Sequence, residues 1–127
     1  MKRLEVTFGY GLYFFGDPMQ GLNIREFGRE WEELNWEMGD FSPFFAIAKT
    51  GWYDGICYDQ TGHAYCTVGG HYGVVCIEGE EFRESLEFMA CNGRIINVFE
   101  KMVFTVEDGI FTVCIDDRET YRIDARK

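Results

Sequence analysis

The chain has 127 residues, room for one domain of ordinary size and little more. It is 46% hydrophobic and 17% aromatic, which supplies a core and excludes a disordered acidic tail. Twelve basic against 22 acidic residues leave a net charge of −10; that field repels phosphate backbones, so no nucleic acid is expected as a partner.

A partner protein with a basic surface fits the charge instead, because opposite fields speed approach. The N-terminal MKRLEVTFGY has two basic residues but lacks the uninterrupted apolar stretch of a secretory signal. No segment approaches the ~20 apolar residues that a membrane-spanning helix needs. The expectation is a cytoplasmic protein with no membrane role, in which Cys57, Cys66, Cys76, Cys91 and Cys114 stay free thiols.

In chain order, residues 4–15 alternate, with Leu4, Val6, Phe8, Tyr10, Leu12 and Phe14 on one parity. Period 2 predicts a strand, in which Gly9 and Gly11 mark a bend or a hairpin tip. Gly16-Asp17-Pro18 is turn chemistry. Asn23 with Glu26 three residues on forms a capping-box pattern, and Ile24, Phe27, Trp31, Leu34 and Met38 follow helical spacing. Gly39, Asp40 and Pro43 end that helix.

Residues 44–78 read as strands again: FFAIAKT, YDGICYD, a turn at Asp59-Gln60-Thr61-Gly62, HAYCTV and YGVVCIEG. A second helix is predicted over about residues 80–91, with Phe82, Leu86 and Met89 on one face and its end at Asn92-Gly93. Further on, VFTV and IFTVCI flank Glu107-Asp108-Gly109, a hairpin signal, and TYRID adds a short strand. The sum is a single α+β domain over residues 1–127: a largely antiparallel sheet with two main helices packed on it.

Four residues tempt a metal. His63, Cys66, His71 and Cys76 reproduce the spacing of a zinc knuckle, with His in place of the first Cys. AYCTV and VVCI nevertheless read as strands, whose alternate side chains point apart, so neither metal nor other cofactor is expected. Asp54 and Asp59 suggest a general acid and base, but period 2 separates them and each sits beside a turn where Asp serves locally. There is no P-loop, GxGxxG, GxSxG or HExxH, and two histidines leave little for proton transfer near neutral pH. No catalytic residue is assigned and no enzyme is expected.

Trp36 points away from the apolar stripe of the first helix, among Glu32, Glu33 and Glu37. An aromatic anchor inside a charged rim is the make-up of a protein interface. Trp52, Tyr53 and Asp54 form a second aromatic and acidic run.

The segments FFAIAKTGWYDGICYDQTGHAYC and EGEEFRESLEFM resemble the core of the SUKH superfamily, the Smi/Knr-like immunity proteins. Phe45, Ile47 and Ala48 match that family's first strand. Asp54, Tyr58 and Asp59 match the second, Gly62 and Tyr65 the third, and Phe82, Leu86 and Met89 the helix. The likeness covers about residues 44–89. The family's longer helical opening, with its Leu-Pro and Asn-Gly-Gly motifs, is missing, and its pattern does not account for residues 93–127.

The resemblance implies toxin neutralisation by protein binding, often against a nuclease, without shared catalytic residues. Two further readings stand beside it. One is a phage-type anti-defence protein that imitates nucleic-acid charge. The other is a small-ligand-binding domain, or an enzyme of unknown type, with a pocket lined by Trp52, Tyr53, Tyr58, His63 and His71.

Overall fold

A computed structural model of the chain describes residues 3–17, 40–42, 45–50, 55–67, 70–78 and 86–126. Of these residues, 71% lie in strands and 8% in helix. The α+β expectation with two main helices is therefore corrected: the protein is mostly antiparallel β, with one helix, α1 (Leu86–Asn92), among the described residues. The first expected helix, over residues 23–38, lies outside them. The bias to strand has a chemical root. From residue 94 on, Ile95, Ile96, Val98, Val103, Thr105 and Val106 are β-branched, and such side chains suit a pleated surface better than a helical turn.

The strands are β1 (Arg3–Gly16), β2 (Asp40–Ser42), β3 (Phe45–Lys49), β4 (Gly55–Tyr58), β5 (Ala64–Thr67), β6 (His71–Cys76), β7 (Arg94–Glu107), β8 (Ile110–Ile115) and β9 (Glu119–Asp124). Seven form one sheet in the order β2-β3-β6-β1-β7-β8-β9, and β4 pairs with β5 as a separate hairpin. Every pairing is antiparallel. The spine is β1 against β7, two strands of 14 residues each.

That spine carries a register shift. Gly9 pairs with Lys101 and Gly11 with Val98, so Phe99 and Glu100 of β7 stand opposite Tyr10 alone. A one-residue slip exchanges the faces of a strand. Leu4, Val6 and Phe8 accordingly belong to the main core, but beyond the shift Tyr13 and Phe15 take over that face. The single parity expected for residues 4–14 is thus corrected: Leu12 and Phe14 turn to the opposite side, and Tyr10 is 79% exposed. The glycines mark an irregularity within one continuous strand.

Two cores result. The main one lies between the sheet and the β4–β5 hairpin. Its centre is a chain of fully buried rings: Phe15 against Tyr65 at 5.2 Å, Tyr65 against Tyr72 at 6.4 Å, and Tyr72 against Phe111 at 5.6 Å. All three contacts are edge-on, the arrangement that sets a positive ring edge against a negative face. The smaller core joins Phe14, Ile77 and Met89, with Leu12, Leu86 and Ile95 around them, and seats α1 on the sheet's other side. Two glycines make room there: a Cβ at Gly16 or Gly93 would lie 2.5 Å or 2.6 Å from the Phe14 ring.

Candidate functional site

Of the residues singled out by sequence, Trp36, Glu32, Glu33 and Glu37, and with them Trp52, Tyr53 and Asp54, lie outside the described residues. The zinc-knuckle quartet is described, and its members stand apart. His63 follows the β4–β5 turn and its Nε2 meets the Gly93 carbonyl oxygen. Cys66 is half-buried in β5, His71 opens β6 beside Asp17, and Cys76 ends β6 against the main core. Among the described residues no three His, Cys, Asp or Glu side chains gather as a metal would require. Tyr58, named as a pocket residue, is 60% exposed, whereas His71 is buried.

Among the described residues, a dense polar constellation centres on Asp59. It begins as turn chemistry: Gly62 N–H bonds the Asp59 carbonyl at 3.0 Å, Gly62 adopts φ +87°, and Thr61 N–H donates to Asp59 Oδ1 at 2.8 Å. The carboxylate then collects further donors: Thr61 Oγ1 at 2.5 Å, His63 N at 3.2 Å, Tyr65 OH at 2.7 Å and Arg94 Nη2 at 3.0 Å. Arg94 also donates from Nε to Tyr65 OH at 3.1 Å, and its guanidinium carbon lies 3.9 Å from the Tyr121 ring centroid. A paired Asp59–Ile123 and the Gln60 amide, which receives Arg122 N–H at 2.9 Å and donates to the Thr120 carbonyl, fasten the same turn to β9.

The electrostatics follow from this packing. Burial pushes the Asp59 carboxyl up, but the bonds from Thr61, Tyr65 and Arg94 outweigh it and hold the group well below the usual carboxylate range. Burial, with the Asp59 bond added, drives the Tyr65 phenol far up. One group stays ionised and the other protonated across the physiological range, whereas a general acid or base works best near the ambient pH. The arrangement is a fastener between the hairpin, β7 and β9.

A second buried carboxylate sits at the other end of β9. Asp116, whose side chain is only 4% exposed, accepts from three successive backbone N–H groups of β7: Phe99 at 3.0 Å, Glu100 at 2.7 Å and Lys101 at 2.9 Å. These are the residues of the register shift. The Phe99 bond leads the causes that bring the Asp116 carboxyl down to about 2. Asp116 and Asp117 adopt φ +53° and +55°, a left-handed region that Asp tolerates better than most residues. The carboxylate thus satisfies the donors that the irregular strand leaves over, and Tyr10 and Phe99 stand out from it at 79% and 67% exposure.

A third cluster joins the ends of β1, β5 and β6. His71 Nε2 lies 3.0 Å from Asp17 Oδ1, and Thr67 Oγ1 donates to Asp17 Oδ2 at 3.0 Å. The same hydroxyl receives Gly70 N–H at 3.1 Å and His71 N–H at 3.2 Å. One carboxylate thereby ties a histidine and a threonine together inside the protein. This is not a nucleophile–base–acid relay, because the hydroxyl meets the carboxylate and not the ring.

Sequence reasoning assigned Asp59 to its turn and found none of its distant partners. Arg94, Asp116 and Asp17 carried no local signal beyond a charge beside a glycine or a turn. Compared with protein-family models, with curated proteins and with solved structures, the chain matches none.

Proposed function

We propose that this chain is a non-catalytic, acidic binding protein that neutralises a basic partner, of the toxin-immunity kind to which residues 44–89 bear a resemblance. The observation that carries the reading is charge: 22 acidic against 12 basic residues on a chain of 127. A field of that sign steers a basic protein inward and turns nucleic acid away. No helix among the described residues is long and apolar enough to cross a membrane; a cytoplasmic site of action is part of the proposal.

The proposed contact residues are Trp36 with Glu32, Glu33 and Glu37, and Trp52, Tyr53 and Asp54 as a second cluster. Affinity capture from the native host, followed by binding measurements on the isolated pair, tests this. The expected partner is a basic protein whose association slows as salt rises. Trp36→Ala should cost ~2 kcal/mol or more of affinity while the melting temperature holds. An acidic or neutral partner bound independently of salt sinks the reading. A sharp fall in melting temperature for Trp36→Ala places that residue in the core instead.

A further inference from the structure

We propose that the bulge carrying Tyr10 of β1 and Phe99 of β7 is a docking point for an arginine- or lysine-bearing segment of the partner protein; this rests on the reading of the partner as basic. Scattered surface aromatics need no explanation. Here three independent features fall on one spot.

The first is exposure with rigidity. Tyr10 and Phe99 are 79% and 67% exposed, and on the β7 side Asp116 holds the backbone through the N–H groups of residues 99, 100 and 101. Gly11, at φ +149°, lets β1 pass the irregularity. A backbone already held leaves only the side chains to be ordered on binding. The second is ring chemistry. The face of an aromatic ring attracts cations, and Arg118 already lies 5.9 Å from the Phe99 centroid.

The third is local charge. Glu78, Glu100, Asp116 and Asp117 lie in or beside the bulge, against Lys101 and Arg118. Both cations are matched within the patch, Lys101 to Asp117 and Arg118 to Asp116, each at 3.4 Å. The remaining field is negative. It favours a cationic segment and disfavours both nucleic acid and a second copy of this chain, which is equally acidic.

The test is an amide-resolved NMR titration with a synthetic peptide of alternating Arg and Gly, with a Glu-Gly peptide of equal length as control. Shifts should concentrate at residues 9–11 and 99–101 for the Arg-Gly peptide alone. The double variant Tyr10→Ser, Phe99→Ser keeps the net charge and should bind about tenfold more weakly. Phe99→Ser alone repeats the comparison if the pair does not fold. Shifts clustered elsewhere, or a folded variant that binds as well as the parent, overturn the docking point and leave the basic-partner reading intact. No binding of the Arg-Gly peptide anywhere on the parent overturns that reading as well.

Discussion

Asp59 and Asp116 are both nearly inaccessible carboxylates held below their ordinary range, yet they are satisfied in different ways. Asp59 takes two backbone N–H groups from its own turn and adds side-chain donors from that turn, from β5 and from β7, with Arg94 as counter-ion. Asp116 draws three consecutive backbone N–H groups from one stretch of β7, with Arg118 at a looser 3.4 Å. The first joins separate pieces of the fold. The second repairs an irregularity in a single pair of strands. The same residue type, with a similar shift, therefore carries global stability in one place and local order in the other.

The comparison breaks most readily at Asp59. Asp59→Ala removes the carboxylate that Tyr65 and Arg94 share, leaving Arg94 the hydroxyls of Tyr65 and Thr61. Breaking a fully buried ion pair costs ~3–5 kcal/mol, and the 23% exposure of Arg94 places this loss toward the lower end. Urea unfolding of the variant should show a loss on that scale; a loss under about 1 kcal/mol would reduce the fastener to decoration.

Acid probes both sites together. Each carboxyl is depressed in the fold, so its contribution is complete above the unfolded value of about 3.9 and disappears as pH falls through the folded value. For Asp116 the window runs from about 4 down to about 2, and for Asp59 it extends lower. Stability from these two groups should stay flat between neutrality and about pH 5 and decline below about pH 4. Asp59→Asn should remove the larger part of that decline; an unchanged acid profile in this variant contradicts the assignment.

Asp116→Asn should act more narrowly. The amides of Phe99, Glu100 and Lys101 are expected to lose hydrogen-exchange protection while those around Thr61 and Tyr65 keep theirs. Equal losses at both places would show that the two sites are coupled. The smallest change is Gln60→Ala, which removes two hydrogen bonds at an exposed position and should cost about 0.5–1.5 kcal/mol by thermal melting.

The same contrast explains what was legible in the sequence. Short-range signals were read correctly: Asp108-Gly109 turns the β7–β8 hairpin with φ +51° and +78°, Asp59 to Gly62 turns the β4–β5 hairpin, and α1 stops at Asn92 before Gly93. The apolar run FFAIAKT became β3 over Phe45–Lys49, with residues 45–48 buried. Legibility failed where a partner is distant. Arg94 is 35 residues from Asp59, and Asp116 is 15 to 17 residues from the amides it accepts. Nothing in the alternation of residues 4–14 announces a shift whose additional residue belongs to β7. Helical spacing over residues 80–91 met a helix in its described part, Leu86–Asn92, but it gave no hint of how much of the chain the sheet claims. The aromatic and acidic interface residues chosen from sequence fall outside the described structure; of the aromatic pair inside it, Tyr10 was read as part of a strand and Phe99 drew no reading.

The Gln60 side chain has one more consequence. A terminal strand with open N–H and C=O groups is a template onto which another chain can add, and β9 ends the seven-stranded order. The Gln60 amide offers β9 a donor and an acceptor of its own at Thr120 and Arg122, and the Asp59–Ile123 pairing continues the cover. One primary amide thus plays the part of a neighbouring peptide unit. It occupies the place where a foreign strand would begin to pair with β9.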